Sequence, residues 1–325
     1  MAKISSSPCL DFSGCYKIPK KDKLLLLKQK EFLMNVTIDH ILAGISAGGQ
    51  YALIAIGYTM VYGILRLINF AHGDVFMASG LIIVYLTTAM PLYYAVPVVI
   101  VATVLLGFFI ERAAYKPLRS APRMSVMISA IGVSYLIQNL ALYITGGLPQ
   151  TYPAIPWVTD MITVFGATTK RVTVLTPILT IVLVVLLVVL IRYTKIGMAM
   201  RAVSKDFETS QLMGIKINKV ISTTFIIGSF LACIGSLLYF SSYQSVTPTS
   251  GAMPGLKAFV AAVFGGIGSI PGAVVGAFII GICENIIKAS TSFSIFSDAF
   301  TFALLILVLC VRPTGIFGEK TTDKV

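Results

Sequence analysis

Apolar side chains in this chain come in long unbroken runs, and charged ones are confined to the short segments between them. No Asp, Glu, Lys or Arg occurs in 75–110, 124–159, 172–191, 220–256 or 258–283, nor between Arg66 and Asp74. A helix needs about 20 apolar residues to cross the hydrocarbon of a bilayer, so several of these runs exceed one crossing. Helices of a water-soluble bundle carry a polar face, and these runs have none. The pattern predicts an all-α, polytopic membrane protein.

The first run covers 41–65. The link LRLINFAHGD (65–74) follows, then runs at 75–90 and 92–110, parted near Pro91. ERAAYKPLRSAPR (111–123) carries four bases and one acid, which assigns it to the cytoplasm by the positive-inside rule. The run 124–145 then crosses outward. The Pro-, Gly- and Thr-rich stretch 146–173 is external, with the lone Trp157 as an interface anchor. The run 174–191 returns; its β-branched residues suit a strand, but its length and neighbours argue for a buried helix. A second cytoplasmic loop, 192–219, holds six bases and two acids, and 220–240 leaves again.

The stretch 255–288 is long enough for two short crossings, and its centre reads FGGIGSIPGAVVGA. Glycine and proline at that density unravel a lipid-facing helix, and each bare peptide group in hydrocarbon costs several kcal/mol. Broken backbone at membrane depth survives only inside protein or beside a water-filled cavity. This region therefore reads as a discontinuous or re-entrant pair, followed by a last crossing at 293–311. The parity stays open. A basic N-terminus and 111–123 on the same face require an even number of crossings, whereas inspection gives three apolar blocks. Either the first block and LRLINFAHGD hide an extra short crossing, or the chain starts outside. The expected total is eight to ten.

Composition narrows the class further. With 57% apolar and only 12% charged residues, the chain has too little polar surface to clothe a soluble globule, and its mean hydropathy is +0.90. The net charge of +12 raises nucleic acid as a partner, but the bases sit between the apolar runs, as membrane topology requires. A multi-pass protein of the cell inner membrane, with lipid and not nucleic acid around it, is expected. Cys9 and Cys15 lie in the polar N-terminal tail, and Cys233, Cys283 and Cys310 in apolar runs. No CxxC or Cys/His spacing suggests a metal, and no cofactor is called for. Residues 1–33 form a basic extension rich in lysine. Its LLLL run (24–27) is too short for a signal-peptide core and no cleavage site follows. It is either a basic tail touching anionic lipid or an over-extended start ahead of an initiating Met34. The second reading is preferred, leaving 34–325 as the membrane domain.

Three patterns carry candidate chemistry. In the second cytoplasmic loop, Glu208-Thr-Ser-x-x-x-Gly214 has the spacing of the EAA-x-x-x-G motif of bacterial importer permeases. There a short helix seats in a groove of an ATPase; Glu208 offers a charge, and Gly214 ends the helix with a left-handed exit. The bland alternative is an ordinary solvated loop helix. In INFAHGD (68–74), Asn69, His72 and Asp74 lie between two apolar runs. Ionisable groups at membrane depth cost about 2.5–3.5 kcal/mol and mark a pathway; otherwise this is a polar turn at the membrane surface with Asp74 capping the next helix. In GICENIIK (281–288), Glu284 and Asn285 line a pathway, or Glu284 pairs with Lys288 four residues on. Gln138 and Asn139 are expected to bond between helices rather than to touch substrate. No phosphate-binding G-x-x-x-x-G-K-[ST] occurs, GGIGSIPG follows no strand, and His40 and His72 sit in no catalytic arrangement, so the chain is not itself an enzyme.

From about Met34 onward these residues carry a resemblance. GGQYALIAIGYTMVYGILRLINFAHGD, ERAAYKPLRSAPR, SAIGVSYLIQN, GMAMRAVSKDFETSQLMGIKINKVISTTF, GLKAFVAAVFGGIGSIPGAVVGAFIIGICE and FALLILVLCVRPTGIFG occur in order across the chain. They resemble the permeases of ATP-driven high-affinity branched-chain amino acid importers, specifically the smaller of two paralogous membrane subunits. The resemblance implies two permeases forming the pathway, two ATP-binding-cassette ATPase subunits, and an extracytoplasmic substrate-binding protein. It assigns the ATPase-coupling contact to Ala202, Asp206, Glu208, Gly214 and Ile215. Thr209 and Ser210 replace the two alanines of the general motif, and Thr224 an apolar position. Candidate pathway residues are Asn69, His72, Asp74, Gln138, Gly266, Gly268 and Glu284. Permeases for urea and short amides are close relatives, which leaves the cargo open. A self-sufficient ion-coupled carrier, with Asp74, His72 and Glu284 as a relay, is the reading from another class.

Overall fold

The computed structural model describes residues 20–119, 121–164, 167–290, 293–312 and 314–318, so residues 1–19 of the basic extension lie outside it. Among the described residues, eight helices are long and apolar enough to span a membrane: Ile38–Leu65 (the second part of α1, Lys20–Leu65), α2 (His72–Ala89), Leu92–Tyr115 (α3), Met124–Thr145 (α4), α6 (Arg171–Tyr193), α9 (Ile217–Tyr243), α11 (Ile270–Ala289) and Ser294–Val311, which contains α12 (Ser297–Val311). A shorter apolar helix, α10 (Ala252–Gly265), precedes α11. Between the spans lie α5 (Pro156–Thr159), α7 (Lys195–Lys205) and α8 (Phe207–Leu212). Among the described residues, strand structure is confined to β1 (Gln150–Thr151) against β4 (Ser245–Val246), and to a hairpin of β2 (Met161–Val164) and β3 (Ala167–Lys170).

Among the described residues three spans precede residue 116, an odd number. Ile38 and the basic segment that follows α3 lie at opposite ends of the bundle, and no additional crossing hides in the first block. Both basic segments lie at one end, because Arg119 donates to Asn218 at the start of α9. α3 runs five residues past its apolar stretch through a π-helical turn, Glu111–Tyr115. Length and apolarity alone place that boundary at Ile110. The helix continues because Glu111 is fully buried and paired: it accepts from Arg119 and from Ser222 Oγ at 2.8 Å. The β-branched run 174–191 is helical, as its length requires.

α1 forms the centre, packed against α6, α9, α10 and α11, with Ala52–Ile56 without exposed surface. Association of helices in lipid gains little from hydrophobicity and relies on close packing of small residues. The α1–α11 contact shows this, for a Cβ on Gly281 would stand 2.3 Å from the backbone nitrogen of Gly48. By contrast α3, α4, α6 and α12 turn Phe109, Leu136, Leu186 and Leu307 outward, as helices facing lipid or another subunit do.

Gly281→Leu therefore forces the two central helices apart. An overpacking cost of about 1–3 kcal/mol is expected, read as a lower midpoint of thermal unfolding in detergent. Gly132→Ala, on α4 with open space around its Cα, should leave the midpoint unchanged or raise it.

Candidate translocation site and coupling surface

α1 ends at Leu65 and α2 begins at His72, but the two ends are not level. The His72 ring lies against Gly57, where an added Cβ would meet Nε2 at 2.1 Å. Gly57 stands eight residues before Leu65, roughly 12 Å back along the helix axis at 1.5 Å per residue. The link 66–71 therefore climbs back to membrane depth before α2 starts. Arg66 makes the reversal with a left-handed backbone, φ 51°. Irregular chain at this depth needs protein around it, and Asn69, Ala71, His72 and Asp74 are all at most 3% exposed. Asn69 Oδ1 accepts from Tyr115 Oη at 2.8 Å, which ties the link to the end of α3. Burial removes the surface-turn alternative for INFAHGD. Asp74 is no cap either: it lies in the first turn of α2, where no side chain caps the helix start.

A second helix begins at the same level. Gly73 packs against Gly251 and Gly255, so the first turns of α2 and α10 meet inside the bundle. Where they meet, a cavity of about 360 Å³ opens between α10 and α4. Asp74, Ser134 and Gln138 supply its polar wall; Tyr58, Leu256 and Phe259 are among the rest of its lining. Asp74 Oδ1 accepts from Gln138 Nε2 at 2.9 Å and Oδ2 from Ser134 Oγ at 2.5 Å. Gln138 thus bonds between helices, whereas Asn139 bonds within its own, to the Tyr135 carbonyl. Among the described residues Asp74 enters no salt bridge. His72 turns away from the cavity towards Gly57 and Gly228, edge-on to Tyr58 at 5.0 Å, and its Nε2 has no partner among the described residues.

The remaining pathway candidates lie elsewhere. Glu284 is fully buried at the hub of an ion network. Its Oε1 accepts from Lys257 Nζ at 2.7 Å and Lys288 Nζ at 2.5 Å, and its Oε2 from Tyr51 Oη at 3.0 Å. Lys257 also bridges to Asp298 at 2.6 Å, so α1, α10, α11 and α12 share one set of charges. The i,i+4 pairing with Lys288 is one contact of several. Lys257 escaped the sequence reading, although it is the one charge between Val220 and Cys283 and so required a buried counter-ion. Gly266 and Gly268 form the break between α10 and α11, with φ of 109° and 98°. Gly266 lies beneath the C-terminal segment, which donates from Ile316 N to Phe264 O and from Phe317 N to Gly265 O, both at 3.0 Å. Gly268 borders a smaller cavity of about 100 Å³ with Thr59, Gly63 and Arg201.

At the Leu65 end, α7 and α8 form an exposed elbow. Asp206 caps α8 by accepting from the backbone of Glu208 at 3.0 Å and of Thr209 at 3.1 Å. The helix ends in a paired 6→1 and 5→2 closure, Ile215 N to Ser210 O and Gly214 N to Gln211 O, with Gly214 at φ 82°. Both ends of a six-residue helix are thus fixed locally, which such a length needs. Glu208, Leu212 and Met213 stand exposed on it, while Ala202 and Ile215 are half-buried at its base.

Eight apolar spans, helices interrupted at depth and a capped helix projecting from one end define a multi-pass membrane permease. The chain belongs to the family of branched-chain amino acid transport system permease components, which matches residues 40–309. The high-affinity branched-chain amino acid transport system permease protein LivH of Escherichia coli K12 is 40% identical over 296 residues, covering 87% of this chain and 96% of that one. BraD of Pseudomonas aeruginosa, of the same description, is 38% identical over 89% of this chain and 98% of its own. Among solved structures, an inward-facing ABC transporter described as of metal-chelate type aligns over 90% of this chain and 99% of that chain, with a TM-score of 0.45 and 16% identity.

Replacing Glu284 by Leu leaves Lys257 buried with only half-exposed Asp298 to balance it. Removing one partner of a buried pair costs about 3–5 kcal/mol, so a large drop in detergent melting temperature is expected. Lys257→Met should cost less, since Glu284 keeps Lys288 and Tyr51. Equal losses in the two variants would show that Glu284 is not the hub.

Proposed function

We propose that this chain is the membrane-spanning subunit of an ATP-driven importer that carries branched-chain amino acids, leucine, isoleucine and valine, into the cytoplasm. The observation that carries the reading is the α7–α8 elbow on the background of the family. A short helix is stapled at both ends and projects Glu208 from the basic end of the bundle. An exposed acid on a rigid, locally fixed helix suits docking to a separate motor subunit far better than catalysis. In this reading Ala202, Asp206, Glu208, Gly214 and Ile215 form the seat for an ATP-binding-cassette subunit. A second, paralogous permease covers the exposed apolar helices, and a binding protein delivers cargo at the opposite end, where the β2–β3 hairpin lies. Hydrolysis of ATP belongs to the partner subunits. Residues 34–325 constitute the permease domain.

Glu208→Lys should cut ATP-dependent leucine uptake in proteoliposomes of the assembled transporter by about tenfold or more, the scale of a lost and reversed interface charge. Membrane insertion and melting temperature should stay unchanged, because Glu208 is exposed. Wild-type uptake that persists in vesicles lacking every ATPase subunit overturns the importer reading. Thermal-shift profiling of the cognate binding protein against leucine, isoleucine, valine and urea tests the cargo.

A further inference from the structure

The carboxylate of Asp74 is 2% exposed and has two neutral donors and no cation among the described residues. Elsewhere this chain balances its buried acids: Glu111 has Arg119, and Glu284 has two lysines. A carboxylate has about four lone-pair sites, and Ser134 and Gln138 take one on each oxygen. The others remain, and the residue lines an open cavity of about 360 Å³, within the range of small-molecule sites. Isolated charge at membrane depth is costly, so a cation entering this space gains what the protein leaves unsatisfied.

We infer that this cavity binds the ammonium end of an amino acid in transit, with Asp74 as its counter-charge. The rest of the wall fits the rest of such a molecule. Ile131, Leu256 and Phe259 present hydrocarbon and an aromatic face for an aliphatic side chain. The first turn of α10, at Gly251, Ala252 and Gly255, opens on the same space with the positive end of its dipole, which favours a carboxylate group. Ser134 and Gln138 position the Asp74 carboxylate rather than neutralise it. The specificity follows from the chemistry: an amine without a carboxylate still engages Asp74, and a carboxylate without an amine does not.

This inference rests on an amino acid being the cargo, and the experiment separates the two claims. The assembled wild-type transporter in proteoliposomes is exposed to photo-leucine, a diazirine analogue of leucine, during ATP-driven turnover and irradiated. Labelled peptides are mapped by mass spectrometry, while leucine uptake is measured in parallel. Labelling is expected on α4 and α10 around Ile131 and Leu256. Leucine and 3-methylbutylamine should suppress it, and 4-methylpentanoate should not. Asp74→Asn keeps an acceptor for Gln138 and should still fold, with the wild-type melting temperature, while labelling falls about tenfold or more, the size of one charge-assisted hydrogen bond. Asp74→Glu should restore part of it. Uptake by the wild type without labelling here overturns the site and leaves the importer reading standing. Labelling unchanged in Asp74→Asn, or suppressed equally by 4-methylpentanoate, overturns it as well. Labelling here without ATP-dependent uptake supports the site and sinks the importer reading instead.

Discussion

A peptide group with no hydrogen-bond partner is not tolerated in hydrocarbon, and that constraint organises this molecule. The chain interrupts its helices at membrane depth in the link before α2, and each group exposed by the interruption has to be housed in protein. Burial of Asn69 and of 71–74 among α1, α3, α9 and α10 meets that need. It also brings the start of α2 beside the start of α10. A cavity in the interior of a helical membrane protein follows from this geometry, since two chain breaks cannot fill space as two continuous helices do.

The central position of α1 is the second element of the design. Small residues let it approach α11 at backbone distance, and the Glu284 network ties it through Tyr51 to α10, α11 and α12. Close backbone contact and shared buried charge both resist sliding. The peripheral helices α3, α4, α6 and α12 carry no comparable constraint on their outer faces. The distinction separates inner faces that are locked by packing and charge from outer faces that are open to lipid or a partner.

Much of this was legible in the residues themselves. Uninterrupted apolar runs announced the spans, because lipid imposes a length and forbids charge. FGGIGSIPG announced a break, because glycine and proline cannot sustain a lipid-facing helix, and the structure parts α10 from α11 there. Glu208 and Gly214 announced a capped loop helix, whose ends are set by local chain geometry. What depended on distant contacts was hidden. Nothing in INFAHGD distinguishes a surface turn from a buried one, since the answer lies outside the motif, in Gly57, Tyr115 and Gly251. Likewise the partners of Asp74 come from a helix 60 residues on, and Glu284 suggested its near neighbour Lys288 while Lys257, 27 residues back, went unread.

The C-terminal segment has a consequence for how the protein is made. α10 finishes at Gly265 with carbonyls that accept from Ile316 and Phe317, residues synthesised some fifty positions later. Peptide groups made later therefore complete a helix that left the ribosome earlier. Until that segment has been made, the α10–α11 hairpin stays unfinished at one edge. A chain cut short before Ile316 would leave those acceptors open, at a turn whose glycines already expose its backbone.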